Sequence, residues 1–156
     1  MIAGLLGCGE ATGVVPDVSM RTDANSYVAT VVASNALVTQ YSFEVVVRTE
    51  NRSSSPVQLH RCFSNDVRPM YDIVLVDASA GAHSAYMVAW GCPASPSPLI
   101  LPAGAARSDT LRFLGATHQN GPAGAPADAL EGRMRITFAS SPRQLQSNTF
   151  TVSHAP

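Results

Sequence analysis

Apolar and polar residues alternate with a period of two along much of this chain. From Gly132 to Phe138, Met134, Ile136 and Phe138 point one way while Arg133, Arg135 and Thr137 point the other. That spacing predicts a half-buried strand, because successive side chains on an extended backbone face opposite sides. Val57 to Cys62 alternates too, with Val57, Leu59 and Arg61 opposite Gln58, His60 and Cys62. Here alternation alone does not decide which side faces inward. Tyr27–Val32 is rich in β-branched residues, and Tyr41–Arg48 alternates before becoming continuously apolar. Both read as strands, the second as a central one. Tyr71–Asp77, Ser84–Trp90, Ser108–Leu114 and Asn148–Val152 read the same way, and Leu99–Leu101 is a short apolar piece before Pro102-Ala103-Gly104.

Turn chemistry separates these segments. Asn51-Arg52-Ser53-Ser54-Ser55-Pro56 is a turn by composition, and Gly115–Pro126 reads as a Gly/Pro/Ala loop. Pro93, Pro96 and Pro98 argue against a central strand between them. No window sustains a helical period. About eight or nine short strands with frequent turns predict an all-β, immunoglobulin-like antiparallel β-sandwich; a barrel or jelly roll has the same spacing. The sandwich is expected over 26–154. Residues 9–25, punctuated by Gly9, Gly13, Pro16 and Asp23, read as a flexible tether.

Composition narrows the function more by exclusion than by assignment. In 156 residues only 13% are charged, all ten basic residues are Arg, and the formal net charge is −1. The sequence shows no basic stripe, so nucleic acid is not an expected partner. No Gly-x-Ser-x-Gly elbow and no phosphate-cradling glycine pattern occurs, so no catalytic residues are assigned and the chain is not read as an enzyme. His60, Cys62, Met70, His83 and Met87 are soft or borderline ligands, and a copper-handling protein is a minor reading. The histidine suits a strand surface and the methionines suit core gaps, so no metal or cofactor is expected. Arg133 and Arg135, with Arg112 on a neighbouring strand, read as a solvated face or an anion patch.

The first eight residues carry the strongest local signal. Ile2-Ala3-Gly4-Leu5-Leu6-Gly7-Cys8 is an apolar run closed by a small residue and a cysteine. It resembles the lipobox of bacterial lipoproteins, with residues 1–8 as residual signal. The resemblance implies acylation at Cys8 and a lipid-anchored, extracytoplasmic place in the bacterial cell envelope. Acyl chains add about 0.8 kcal/mol of membrane affinity per buried CH₂, and two chains make anchoring stable. With Cys8 acylated, Cys62 and Cys92 remain as a disulfide pair. That bridge would close a loop of about thirty residues, worth roughly 3–4 kcal/mol, and would persist in an oxidising compartment. Trp90 is then expected to pack against the sulfurs.

A second likeness covers residues 41–152. Asn51, Pro56, Val57, Leu59, Tyr71, Asp72, Ile73, Val74, Trp90, Leu101, Pro102, Gly104 and Leu111, in this order, are similar to small bacterial immunoglobulin-like modules of the family named for an intracellular proteinase inhibitor of Bacillus. The resemblance implies the sandwich and, as an alternative function, protease inhibition by the rigid loop 93–98. The principal expectation is a binding or assembly module that meets a protein partner through loops or edge strands. The expected contact loops carry Pro93, Pro96 and Pro98, and Gly121 and Pro122.

Overall fold

The computed structural model describes residues 17–76, 86–87, 97–118, 130–138 and 145–155. Among them are ten strands: β1 (Val18–Thr22), β2 (Ser26–Ser34), β3 (Val38–Asn51), β4 (Val57–Arg61), β5 (Tyr71–Leu75), β6 (Tyr86–Met87), β7 (Ser97–Leu101), β8 (Ala106–His118), β9 (Gly132–Phe138) and β10 (Phe150–His154). In one layer β3 pairs with β8, β8 with β6, and β1 and the end of β2 lie along the other side of β3. In the second layer the order is β5-β9-β10-β2. The architecture is the expected all-β sandwich, with one strand divided between the layers.

β2 makes that division. Its Ser26–Ala29 half runs parallel to β10, and its Thr30–Ser34 half runs antiparallel to β3. The parallel ladder is a correction to a purely antiparallel sandwich. Ala29 is fully buried at the crossing, where a larger side chain would hold the layers apart. A register shift between Val31 and Ala33 follows; such bulges bend a strand and let it change sheets.

The core lies where the two inner faces meet. Phe43, Val45 and Val47 of β3 and Leu111 and Phe113 of β8 pack with Ile73, Met134, Ile136, Phe138, Phe150 and Val152 of the other layer. Phe43 stacks on Phe113 at 5.4 Å and meets Tyr86 edge-on at 4.8 Å, while Tyr27 meets Phe150 edge-on at 5.2 Å. Truncating a ring such as Phe113, which has no exposed surface, typically costs about 3–5 kcal/mol.

Two expectations are corrected by strand length. The stretch read as a tether contains β1, whose Val18, Met20 and Thr22 are buried and whose five residues pair with β3. The segment read as a loop from Gly115 starts as the last rungs of β8, paired with β3 out to His118. Glycine is required at 115 by close packing: a Cβ there would lie 2.8 Å from the Tyr86 ring and against Leu130. Gly104, at φ +70°, makes the turn that returns β7 into β8.

A separate two-stranded ribbon joins β4 and β7. It settles the alternation of Val57–Cys62, since Leu59 is buried and Gln58 exposed. Pro98 stands inside β7 opposite His60, which corrects its placement in a loop. A two-stranded ribbon tolerates proline because only one side of each strand needs ladder donors.

Candidate interaction surface

An open, apolar edge among the described residues is formed by the second half of β2 with the hairpin that follows it. No described strand pairs with the outer edge of Thr30–Ser34. β10 stops at the point where that edge opens: His154 opposite Ala29 is its last rung. The His154 ring closes this corner, stacking on Tyr41 at 3.8 Å and 7° while its backbone N–H donates to Glu131 Oε1 at 3.0 Å. Beyond it, Val31 is 52% exposed, Val32 41%, and Leu37 at the hairpin tip 63%. The tip is ordered by Asn35, whose Oδ1 accepts the backbone N–H groups of Leu37 and Val38, both at 2.9 Å. Leu37 is therefore presented outward by a defined turn.

The chemistry of this edge is uniformly uncharged. No Asp, Glu, Lys, Arg, His or Pro occurs from Ser26 to Phe43. Natural sheets usually blunt an open edge with charges or proline. Here the bulge beside Val32 is the one such device in the strand.

The other end of β3 is charged, and its flanking strand β1 likewise pairs with β3 alone among the described strands. Arg48, Glu50 and Arg52 share the outer side at two-residue spacing, and Arg21 of β1 stands directly across from Arg48. Arg48 Nε donates to Glu50 Oε1 at 2.8 Å, Arg52 Nη2 to Oε2 at 2.7 Å, and Arg21 Nη2 reaches Oε1 at 3.5 Å. The hydrogen bonds from Arg48 and then Arg52 hold the Glu50 carboxyl down at about 2. Two arginines opposed across a strand pair repel, and the single carboxylate is what gathers them.

Beneath that face are two buried polar knots. The Tyr71 hydroxyl donates to Asp109 Oδ2 at 2.7 Å, Arg107 Nε donates to the same oxygen at 2.7 Å, and Arg107 Nη2 reaches the Val67 carbonyl at 2.7 Å. Burial, then the neighbouring Asp109 charge, pushes the Tyr71 hydroxyl up; its bond to Asp109 raises Arg107. Asn51, 1% exposed, donates from Nδ2 to the carbonyls of Ser55, Leu101 and Pro102 at 2.9–3.1 Å and accepts from Ser53. Although Asn51-Arg52-Ser53 reads as a glycosylation sequon, its amide is occupied as the brace between turn and ribbon.

The residues singled out from sequence are placed unevenly. Cys8, Cys92, Pro93, Pro96, Gly121, Pro122, Trp90 and His83 lie outside the described residues. Cys62 is buried and is not a free thiol. Arg112 does not neighbour Arg133 and Arg135, because β8 and β9 belong to different layers; its Nε donates to Ser42 Oγ. Arg135 is partly buried and donates to Thr149 Oγ1 and Gln146 Oε1, both at 2.9 Å, which accounts for it structurally. No group of three His, Cys, Asp or Glu that could hold a metal occurs among the described residues, and no described helix is long and apolar enough to cross a membrane. Sequence reasoning missed the Arg21–Arg48–Arg52 cluster, although Arg48-x-Glu50-x-Arg52 is itself a strand-period signal.

No protein-family profile matches the chain, and no curated protein matches it at a significant level.

Proposed function

We propose that this chain is a lipid-anchored, extracytoplasmic binding or assembly module of the bacterial envelope, without catalysis, that meets a protein partner along the open edge of β2. The observation that carries the reading is the exposed, uncharged run Thr30–Ser34 with Leu37 beside it. An incoming strand would gain main-chain hydrogen bonds from the edge and apolar contact with Val31 and Val32, the mode known as strand addition. Cys8 supplies the anchor, and a Cys62–Cys92 bridge braces the body outside the cytosol.

The test uses the chain as bait in gently solubilised membranes of its native host, with Val31→Lys/Val32→Lys as the comparison. Charges on an open edge block strand pairing. The expected result is one partner recovered with the native chain and lost with the double variant, whose unfolding midpoint in urea stays close to native. Equal recovery with both chains, or recovery of nothing, overturns the reading. Intact mass of the native product checks the anchor and the bridge separately.

A further inference from the structure

We infer that the arginine face formed by Arg21, Arg48 and Arg52 docks against an anionic lipid surface and sets how the body sits on the membrane. The anchor at Cys8 is taken from the proposed function; the docking face rests on geometry of its own.

The first observation is where the chain enters the body. Asp17 is the residue before β1, and its carbonyl accepts the Arg52 backbone N–H at 2.7 Å. The N-terminal segment therefore leaves the body beside Arg52. Nine peptide steps separate Cys8 from Asp17, so the segment spans at most about 32 Å when fully extended. A chain held at Cys8 keeps this end of the sandwich within that reach of the membrane.

The second is charge. Three guanidiniums gather on one carboxylate, a surplus of two positive charges in a chain whose formal net charge is −1. Asp17 at the entry and Asp23, two residues along from Arg21 with its Oδ1 accepting the Val46 N–H, offset that surplus, and Arg68, bonded to the Thr110 carbonyl beside β8, leaves one positive charge. Arg21, Arg48 and Arg52 have 64%, 46% and 73% of their side-chain surface exposed. Arg48 engages Glu50 through Nε at 2.8 Å. Guanidinium forks of this kind suit phosphate oxygens.

The third is local conflict. Arg21 directly across from Arg48 is an unfavourable pair for folding, and such departures from local consistency concentrate at functional sites. Glu50 orders the three side chains in advance, which lowers the entropy lost when they meet an anionic surface.

The experiment measures sedimentation of the full chain carrying Cys8→Ser, which excludes acylation, with phosphatidylglycerol-containing vesicles and with pure phosphatidylcholine vesicles. Binding to the anionic vesicles alone is expected, weakening as salt shortens the screening length from about 10 Å at 0.1 M to about 3 Å at 1 M. Arg21→Gln/Arg48→Gln/Arg52→Gln should bind roughly a hundredfold more weakly, at about fivefold per arginine near such a surface. Single Arg48→Gln and Arg52→Gln variants, each expected to lose about fivefold, keep the test decisive if the triple variant misfolds. Equal binding to both vesicle types, or full binding by the arginine variants, overturns the inference. Because no acyl chain is present, this result is independent of whether native Cys8 proves to be acylated.

Discussion

The two halves of β3 face opposite fates. Its C-terminal half is flanked by β1 and β8, its outer charges are collected on Glu50, and beneath it Asp109 and Asn51 satisfy buried donors and acceptors. Its N-terminal half is flanked by β8 and the end of β2, whose far edge has no described partner and whose valines are exposed. The difference teaches where stability and recognition are placed on one strand. Both flanking strands are edges among the described residues; at one end side chains reach across the fold and carry charge, while at the other the edge is uncharged and its valines are exposed.

The largest expected effect breaks the charged end. Asp109→Ala removes the acceptor shared by Tyr71 and Arg107 and leaves a partly buried guanidinium without its carboxylate. Removing one partner of a buried charged pair costs about 3–5 kcal/mol. Urea unfolding should show a loss of that order, with Tyr71→Phe losing less because the Arg107 pair survives. A loss below 1 kcal/mol, the usual size for an exposed pair, would mean that this end is no better braced than the other.

Asn51→Ala should come next. Three carbonyls lose their side-chain donor, and unsatisfied buried groups cost about 1–3 kcal/mol. The damage should be local: hydrogen exchange should quicken in β4, β7 and the 52–56 turn before the β3–β8 ladder opens. Uniform quickening across all strands would show that the ribbon is not braced separately from the sandwich.

How legible this was depended on the range of the interaction. β9 and β4 were readable because a period of two needs only neighbours in sequence. β1 carries the same signal in Val18-Ser19-Met20-Arg21-Thr22, but it is five residues long and lies between Pro16 and Asp23, so the surrounding punctuation outweighed it. Gly115 reads as loop chemistry, while its actual reason is the Tyr86 ring packed over it. The Tyr71–Asp109 and Asn51–Leu101 bonds join residues 38 and 50 positions apart, a separation no spacing rule reaches. The open edge of β2 was hidden for a similar cause. Its valines announce a strand, but which edge stays unpaired depends on β10 ending at His154.

The smallest effect sharpens the comparison by pH. Glu50 has a folded-state pKa of about 2, held below its ordinary 4.5 by Arg48 and Arg52. Between those values the unfolded chain takes up the proton first, so acidification favours unfolding. The Glu50 contribution is fully present above pH 4.5 and fades as the pH falls toward 2. Asp23 is also lowered: burial raises it, but the hydrogen bonds from Tyr27 and the Val46 N–H outweigh burial. Its contribution declines in the same acid range, and it is retained in a Glu50→Gln chain, so the difference between the two chains isolates Glu50. Melting temperatures from pH 2 to 6 should separate native from Glu50→Gln above pH 4.5 and converge toward pH 2. Parallel curves would mean that the arginines do not hold the carboxylate in solution. Val31→Lys/Val32→Lys, which leaves Glu50 and its arginines untouched, should instead track the native curve throughout.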